Sequence, residues 1–337
     1  MTRKTLYLHV GMGKTGTSAL QVAFVRNRKQ LAAHGIAYPE HPSDVSARRG
    51  EVVSGNAMGL VRYLDPRTRA DIERKERFLA GLERAIYNAP QPRVLFSSEF
   101  LYSANHERFG SFCRDLLDKG IGVEVVVYVR DIAGHALSLY SQVVKRSLFT
   151  GAFMDFITPG KGIRYAPSIR GRLHRMLTLV GRERLHVMHY DSDRDHLMES
   201  FMRNVFGIEG IDEYDLTHGQ VNRSLTDHEI ELMRYMNGRL RDTSGAGVVN
   251  QVIIRRPPLK ERKPSMTEEQ LSLLEKRFLP DVEWVNETFF ESDLLTVQGD
   301  TPVTDSHRTV APISAEEKFL LDCLSDLANG GPEIGVA

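Results

Sequence analysis

Apolar residues in the first two thirds of the chain form short runs, and segments with helical spacing separate them. Four runs indicate buried strands: Thr5 to Val10, Arg93 to Ser97, Val123 to Val129 and Leu185 to Tyr190. The third run is almost wholly apolar and β-branched, which is typical of a parallel strand buried on both faces. Strands that alternate with helices predict an α/β fold in three layers, with a central parallel sheet and right-handed crossovers.

The segments between and after these strands have the 3.6-residue periodicity of amphipathic helices. The first predicted helix begins at Thr17 or Ser18, either of which could be its N-cap, and runs toward His34. The next helix after the third strand has Asp131 as its predicted cap and runs to Arg146. The other predicted helices cover Arg67 to Tyr87, His106 to Lys119, Pro167 to Val180, Arg194 to Phe206, Ser224 to Arg241, Thr267 to Leu279 and Ser314 to Ala328. Thr267 and Gln270 have capping-box spacing. The predicted loops are Ser43 to Gly59, Phe149 to Ala166 and the basic, proline-containing segment Val248 to Pro264.

These elements predict one large α/β domain over residues 1–290, whose last part, about 224–290, is helical. A linker of Thr, Pro and Asp follows over residues 300–312, and residues 313–337 form a C-terminal helix and tail. Four apolar residues share one face of that helix: Phe319, Leu320, Leu321 and Leu324. That face either packs on the protein's own core or makes the chain a homodimer.

Composition narrows the class of protein. The 44 basic and 44 acidic side chains balance, which argues against a general nucleic-acid binder. Two cysteines in 337 residues imply no disulfide framework and favour a reducing compartment. Gly11 and Lys14 interrupt the first apolar run too early for a secretory signal, and no apolar stretch is long enough for a transmembrane segment. We therefore expect a cytoplasmic protein.

The segment from Gly11 to Ser18 has the composition of a phosphate-binding loop. It lies between the first predicted strand and the first predicted helix, and it contains Gly11, Gly13, Lys14, Thr15, Gly16, Thr17 and Ser18. Glycines let backbone N–H groups turn toward an anion, and the following helix adds free N–H groups and the positive end of its dipole. Lysine supplies a cation and the hydroxyl groups supply further donors.

Two familiar nucleotide motifs fit this loop poorly. A Walker A loop needs a glycine five residues before Gly13, where this chain has Leu8. The spacing of Gly11, Gly13 and Gly16 matches the dinucleotide fingerprint, but Lys14 lies inside it and no acidic residue follows about 20 positions later. These departures weaken the kinase and dehydrogenase interpretations, although the kinase alternative stays open.

A second candidate anion site follows the apolar run Val123 to Val129. Arg130 comes directly after that strand, and Ser138 lies two turns into the next predicted helix. Ligands of parallel sheets collect at the carboxyl ends of the strands, where an arginine can donate two N–H groups to one phosphate. The alternative is structural, with Arg130 paired to Asp131 or placed as a helix cap.

Taken together, the two segments resemble the PAPS-dependent sulfotransferases, in particular bacterial enzymes similar to carbohydrate and glycosaminoglycan sulfotransferases. Lys14-Thr15-Gly16-Thr17-Ser18, preceded by Gly13, resembles their 5'-phosphosulfate loop, and Arg130 with Ser138 resembles their 3'-phosphate element. The resemblance extends over roughly residues 4–290. It implies 3'-phosphoadenosine 5'-phosphosulfate (PAPS) as donor, no metal, and a hydroxyl or amine acceptor, with a carbohydrate favoured.

The resemblance also implies roles for single residues. Lys14 would stabilise the charge that grows on the bridging oxygen, and Ser138 would restrain Lys14 until an acceptor binds. The family's base is a glutamate or a histidine, and Glu99, directly after a strand, is the favoured candidate. His135 and His106 are the alternatives, whereas His9 is expected in the core.

Other features are weaker. Asp191 to Asp195 imitates a calcium loop, but His196 replaces its required glycine and Met202 its last ligand, so that interpretation is rejected. A basic cluster is either a solvated loop or a flap over an anionic ligand: Arg255, Arg256, Lys260, Arg262 and Lys263. Asn222-Arg223-Ser224 resembles a donor-contacting loop. The remaining functional alternatives are a kinase-like phosphotransferase that uses magnesium and a non-catalytic nucleotide-binding module.

Overall fold

The computed structural model describes residues 4–51, 53–160, 162–216, 224–258, 264–304 and 312–328. The chain divides into two compact units. The first comprises Met1–Arg130 and Ser168–Val221, and the second comprises Asp131–Pro167 and Asn222–Ala337. None of the helices in the described ranges combines the length and the apolar character needed to cross a bilayer.

A parallel five-stranded sheet forms the centre of the first unit. Its strands are β1 (Thr5–Val10), β2 (Ile36–Ala37), β3 (Arg93–Ser98), β4 (Gly122–Val129) and β5 (Leu185–His189), in the order β2-β3-β1-β4-β5. Every neighbouring pair is parallel. From Val123 to Val129 only Glu124 is not fully buried, which explains why this run contains so many β-branched apolar residues. The predicted α/β fold with a central parallel sheet is confirmed.

Helices surround this sheet and make up most of the second unit. The helices are α1 (Thr17–Arg26), α2 (Arg28–Ala33), α3 (Asp44–Arg48), α4 (Met58–Leu64), α5 (Arg69–Glu73), α6 (Lys75–Asn88), α7 (His106–Asp118), α8 (Ile132–Arg146), α9 (Phe153–Ile157), α10 (Ile169–Val180), α11 (Tyr190–Asp193), α12 (Leu197–Phe206), α13 (Asp227–Asn237), α14 (Thr243–Ile254), α15 (Glu268–Phe289) and α16 (Ala315–Ala328). Short 3-10 helices cover Glu99–Ser103, Arg182–Arg184 and Arg194–His196.

The sheet of the first unit is covered on both faces. Val126 and Tyr128 of β4 belong to a core cluster that α1 and α12 complete with residues such as Phe24 and Phe201. The other face of β4 packs against α7 and α10. Alternate residues of a strand point to opposite faces, so one apolar strand supplies both cores. This is the three-layer arrangement that the alternation of strands and helices predicts.

The second unit is mainly helical and relies on buried amide side chains. Asn237 on α13 donates to the carbonyl groups of Val144 and Phe149, at 2.7 and 2.9 Å. Asn286 on α15 exchanges two hydrogen bonds with the backbone of Leu295. These contacts satisfy backbone groups that no regular element pairs. A short parallel ribbon joins β6 (Met266–Thr267) to β7 (Val303–Thr304), which lies inside the segment predicted as a linker.

The ends of several helices differ from the sequence predictions; α15, for example, continues to Phe289 rather than ending at Leu279. Gly16, rather than Thr17 or Ser18, is the N-cap of α1, because the loop reaches the helix in a left-handed conformation. Asp131 precedes α8 without a side-chain cap, since its carboxylate accepts from Thr296 instead. The prediction of a loop from residue 248 was wrong: α14 runs to Ile254 because it buries Ala246 and Val249. The predicted capping box of Thr267 and Gln270 is present at the start of α15.

Candidate functional site

The loop between β1 and α1 has the backbone geometry of an anion cradle. Lys14 and Gly16 both have positive φ angles, 67° and 73°. A Cβ atom at Gly16 would come within 2.5 Å of Leu197 and 2.9 Å of Tyr190, so only glycine fits this position. Because the N-cap is a glycine, that residue has no side chain with which to cap α1. The first N–H groups of the helix are therefore available to an external acceptor.

The three hydroxyl groups of the loop have different environments. The Thr15 hydroxyl donates to the carbonyl oxygen of Met12 and is fully buried. Thr17 is also buried, and its Oγ1 finds no hydrogen-bond partner among the residues that the structure describes. That hydroxyl lies against Gly11, where a Cβ atom would be only 2.1 Å away. A buried polar group without a partner costs about 1–3 kcal/mol, so such groups often mark a place where a ligand binds.

Arg130 reaches the loop from the end of the neighbouring strand. Its Nη1 donates to the Lys14 carbonyl oxygen at 3.0 Å, across 116 residues of sequence. Its side chain is only 19% exposed. The two predicted anchors, Lys14 and Arg130, therefore lie side by side at the carboxyl edge of β1 and β4.

Two residues after β5 hold the Arg130 guanidinium in place. Val129 is paired with His189, so the chain that follows β5 starts level with Arg130. Asp191 Oδ1 lies 3.4 Å from Arg130 Nε, and the guanidinium carbon lies 5.1 Å from the centre of the Tyr190 ring. Sequence reasoning considered Asp191 only as a calcium ligand and missed this role. Its position directly after a predicted strand was the one indication available.

Glu99 starts a 3-10 helix beside the loop. Ser98 is paired with Val10, and the Gly11 amide donates to the Ser98 carbonyl at 3.4 Å. Glu99 thus follows β3 at the level where the loop leaves β1. Its side chain is half-buried, and the described part of the chain offers its carboxylate no hydrogen bond or ion pair. A carboxylate in this position can accept a proton from a group bound at the loop.

The histidines have distinct environments. His9 is fully buried, and burial lowers its pKa to about 3, which keeps the ring neutral as a core residue. His106 is exposed at the start of α7. His135, in the second unit, is buried, and its Nδ1 lies 3.0 Å from the Tyr165 hydroxyl oxygen. Of the two predicted alternatives to Glu99, His106 is thus the solvent-accessible one.

A buried polar network supports the loop from below. The Ser97 hydroxyl lies 2.9 Å from His9 Nδ1 and accepts from Gln21 Nε2 at 3.1 Å. The Ser97 amide donates to Asn56 Oδ1 at 2.8 Å. The network ties β1, β3 and α1 together, and each of these elements carries or adjoins the loop. These hydrogen bonds restrain the three elements relative to one another, so they help to fix the direction from which α1 starts.

The other predicted residues belong to the second unit or fall outside the described residues. Ser138 is half-buried on α8 of the second unit. Arg255 and Arg256 are exposed after α14. Lys260, Arg262 and Lys263 of the basic cluster, and Asn222 and Arg223, fall outside the described residues.

No protein-family model matches the chain, and no curated protein matches it in sequence. Among solved structures, the chain is similar to a sulfotransferase from Alicyclobacillus acidocaldarius. The TM-score is 0.42 and the identity 14%, over 85% of this chain and 96% of that chain.

Proposed function

We propose that this protein is a sulfotransferase that moves a sulfuryl group from PAPS to a hydroxyl or amine acceptor, with a carbohydrate as the favoured class. The observation that carries the proposal is the hydrogen bond from Arg130 to the Lys14 carbonyl. It joins the two segments that resemble the donor-binding elements of these enzymes at one edge of the sheet. A nucleotide with phosphates at both ends needs two such cationic elements.

The loop offers donors suited to a phosphate or phosphosulfate group. The start of α1 has no side-chain cap, and the buried Thr17 hydroxyl has no partner within the described ranges. Lys14 adds a cation to the same loop. Oxygens of a bound anion would satisfy these groups, which is the fit expected of a phosphate-binding loop.

The proposed reaction needs a proton acceptor and a stabilised leaving group. The acceptor's oxygen or nitrogen attacks sulfur, its proton passes to the Glu99 carboxylate, and the bond from sulfur to the bridging oxygen breaks. The leaving group is adenosine 3',5'-bisphosphate, which takes the electron pair of that bond. Lys14 stabilises the growing negative charge, an interaction that strengthens in the transition state.

In this proposal the 3'-phosphate binds Arg130, with Ser138 as a second ligand on the basis of the resemblance. Arg130 is a suitable donor because its guanidinium is already oriented by Asp191 and Tyr190. A fixed guanidinium loses less conformational entropy when an anion binds. The proposed chemistry uses these side chains and requires no metal.

Calorimetry tests the donor half of the proposal. We expect adenosine 3',5'-bisphosphate to bind without added metal and Arg130→Ala to weaken binding by roughly tenfold to a hundredfold, the cost of a charge-assisted hydrogen bond. Arg69→Ala is the matched control, because Arg69 is an exposed arginine that pairs with Glu73 on α5. Magnesium-dependent ATP binding, with no binding of the bisphosphate, would instead indicate a kinase-like protein.

Turnover tests the chemical half. With labelled PAPS and a panel of saccharides and lipids, we expect Lys14→Met and Glu99→Gln each to lower kcat by about 10²–10³-fold. Glu183→Gln, at an exposed carboxylate in the 3-10 helix Arg182–Arg184, should have no effect. An unchanged rate in Glu99→Gln would remove this residue from the mechanism. Donor binding without turnover on any acceptor would indicate a non-catalytic module.

A further inference from the structure

The first unit contains a cavity that the proposed donor site does not use. It lies between α7 and α10, and the 3-10 helix Glu99–Ser103 closes one side. Its volume is about 540 Å³, within the range of small-molecule sites. All the residues that line it belong to the first unit.

The floor of this cavity is apolar. Five side chains contribute to it: Leu101, Ala104, Phe109, Met176 and Leu179. The first four are buried, and Leu179 is half-buried. Gly110 lies among them, and its lack of a side chain lets Leu179 and Arg114 approach, since a Cβ atom there would sit 3.7 Å from Leu179 and 3.3 Å from Arg114. An apolar group that enters this space gains about 25 cal/mol for each Å² removed from water.

The rim of the cavity is cationic. Among the described residues that line it are Arg114, Arg172, Arg175 and two histidines, whereas Glu107 is the one acidic residue of that set. Of these guanidinium groups, none has a carboxylate within 4 Å in the portion of the chain that is described. The local charge is therefore positive and is not balanced by an ion pair.

One of these arginines is already positioned by its neighbours. Arg172 is half-buried, donates from Nη1 to the Tyr102 carbonyl, and lies 4.9 Å from the centre of the Tyr102 ring. Arg114 and Arg175 are exposed on the two helices that form the walls. A guanidinium held on one side by a carbonyl keeps other N–H groups for an anion.

We propose that this cavity binds an amphiphilic anion, meaning an apolar alkyl or aryl body that carries one carboxylate, sulfate or phosphate group. The body would occupy the apolar floor, and the anionic group would pair with Arg172 and its neighbours at the rim. A neutral amphiphile leaves the guanidinium groups unpaired, and a small inorganic anion leaves the floor empty. Only a ligand with both an apolar body and an anionic group would contact the apolar floor and the cationic rim together.

The ligand class can be tested by calorimetry on the full chain with three probes: decanoate below its micelle concentration, decanol and inorganic sulfate. We expect decanoate to bind with a stoichiometry of one, decanol to bind about tenfold more weakly or worse, and sulfate alone not to bind at this site. Decyl sulfate should bind like decanoate, since the rim recognises charge rather than one head group. Equal affinity for decanoate and decanol would overturn the proposal.

Substitutions in the lining test whether decanoate binds in this cavity. Arg172→Gln and Arg175→Gln should each weaken decanoate by about tenfold, the effect of losing one charge-assisted hydrogen bond. Arg170→Gln is the matched control, because Arg170 lies on the same helix but does not line the cavity. Thr178→Trp, at an exposed position in the lining, should fill the cavity and abolish binding. Unchanged decanoate affinity in Thr178→Trp would contradict the assignment.

This inference is independent of the proposed sulfuryl transfer. Thr178→Trp should leave the binding of adenosine 3',5'-bisphosphate unchanged, and Arg130→Ala should leave the binding of decanoate unchanged. A cavity that binds decanoate in a protein that fails to bind the bisphosphate would therefore support this site and reject the donor proposal. A protein that binds the bisphosphate but not decanoate would support the donor proposal and reject this site.

Discussion

Two regions of the first unit, the loop edge and the cavity between α7 and α10, contain arginines whose charges are balanced in different ways. At the loop edge, Arg130 pairs with Asp191 and donates to the Lys14 carbonyl. At the cavity between α7 and α10, Arg114, Arg172 and Arg175 have no such carboxylate in the described structure. A ligand at the loop edge must therefore compete with Asp191 for Arg130, whereas an anion at the cavity rim meets unpaired guanidinium groups.

Burial explains the difference. The side chain of Arg130 is 19% exposed, and a cation in that position needs a counter-charge because water solvates it poorly. Arg114 and Arg175 are exposed, so water can solvate them without an acidic partner. The loop edge therefore has its arginine paired in advance, whereas at the cavity rim Tyr102 holds only Arg172, and Arg114 and Arg175 are exposed to solvent.

The largest effect is expected from Gly16→Ala, which breaks the loop edge and leaves the cavity intact. Alanine would have to adopt a φ of 73°, and its Cβ would clash with Leu197 and Tyr190. Together, left-handed strain and overpacking should lower the free energy of unfolding by about 2–5 kcal/mol. Gly13→Ala is the control, because nothing lies within 4 Å of a Cβ there. Chemical denaturation measures both variants, and equal stability would refute the account of the loop.

A smaller effect on the free energy of unfolding is expected from His9, which belongs to the hydrogen-bond network beneath the loop. Burial lowers the pKa of His9 from 6.5 to about 3, so the unfolded chain takes up a proton that the folded protein excludes. Stability is therefore lost as the pH falls from about 6.5 toward 3, with a slope that approaches about 1.4 kcal/mol per pH unit. Denaturation of His9→Asn over the same range should lack this contribution. Identical pH profiles would show that His9 does not titrate in this way.

The smallest effect tests the counter-charge directly. Asp191→Asn makes Arg130 resemble the cavity arginines, because it removes the competing carboxylate. We expect adenosine 3',5'-bisphosphate to bind roughly threefold to tenfold more tightly, with a steeper salt dependence. Asp195→Asn is the control, since that carboxylate is 81% exposed. Weaker binding in Asp191→Asn would mean that Asp191 orients Arg130 more than it competes with the ligand.

The sequence by itself determined the parts of the protein that depend on local properties. Apolar, β-branched runs such as Val123 to Val129 can only be satisfied in a buried strand, so β1, β3, β4 and β5 were predictable. The turn from Gly11 to Gly16 was predictable because its glycines lie between an apolar run with strand character and a segment with helical periodicity. The position of Arg130 beside this loop was predictable because it directly follows β4, and the carboxyl ends of parallel strands share one edge of the sheet. The ends of helices were less predictable. The N-cap of α1, for example, depends on how Gly16 packs against Leu197 and Tyr190.

Only the tertiary structure decided which residues meet. Asp191 became the partner of Arg130 because β5 lies next to β4 in a register that pairs Val129 with His189, and no local pattern encodes that choice. The cavity likewise joins residues 101–114 to residues 172–179, which are far apart in sequence and meet because α7 and α10 both pack on β4. Periodicity tells which face of a helix is apolar, but the space left between two helices depends on how their side chains pack.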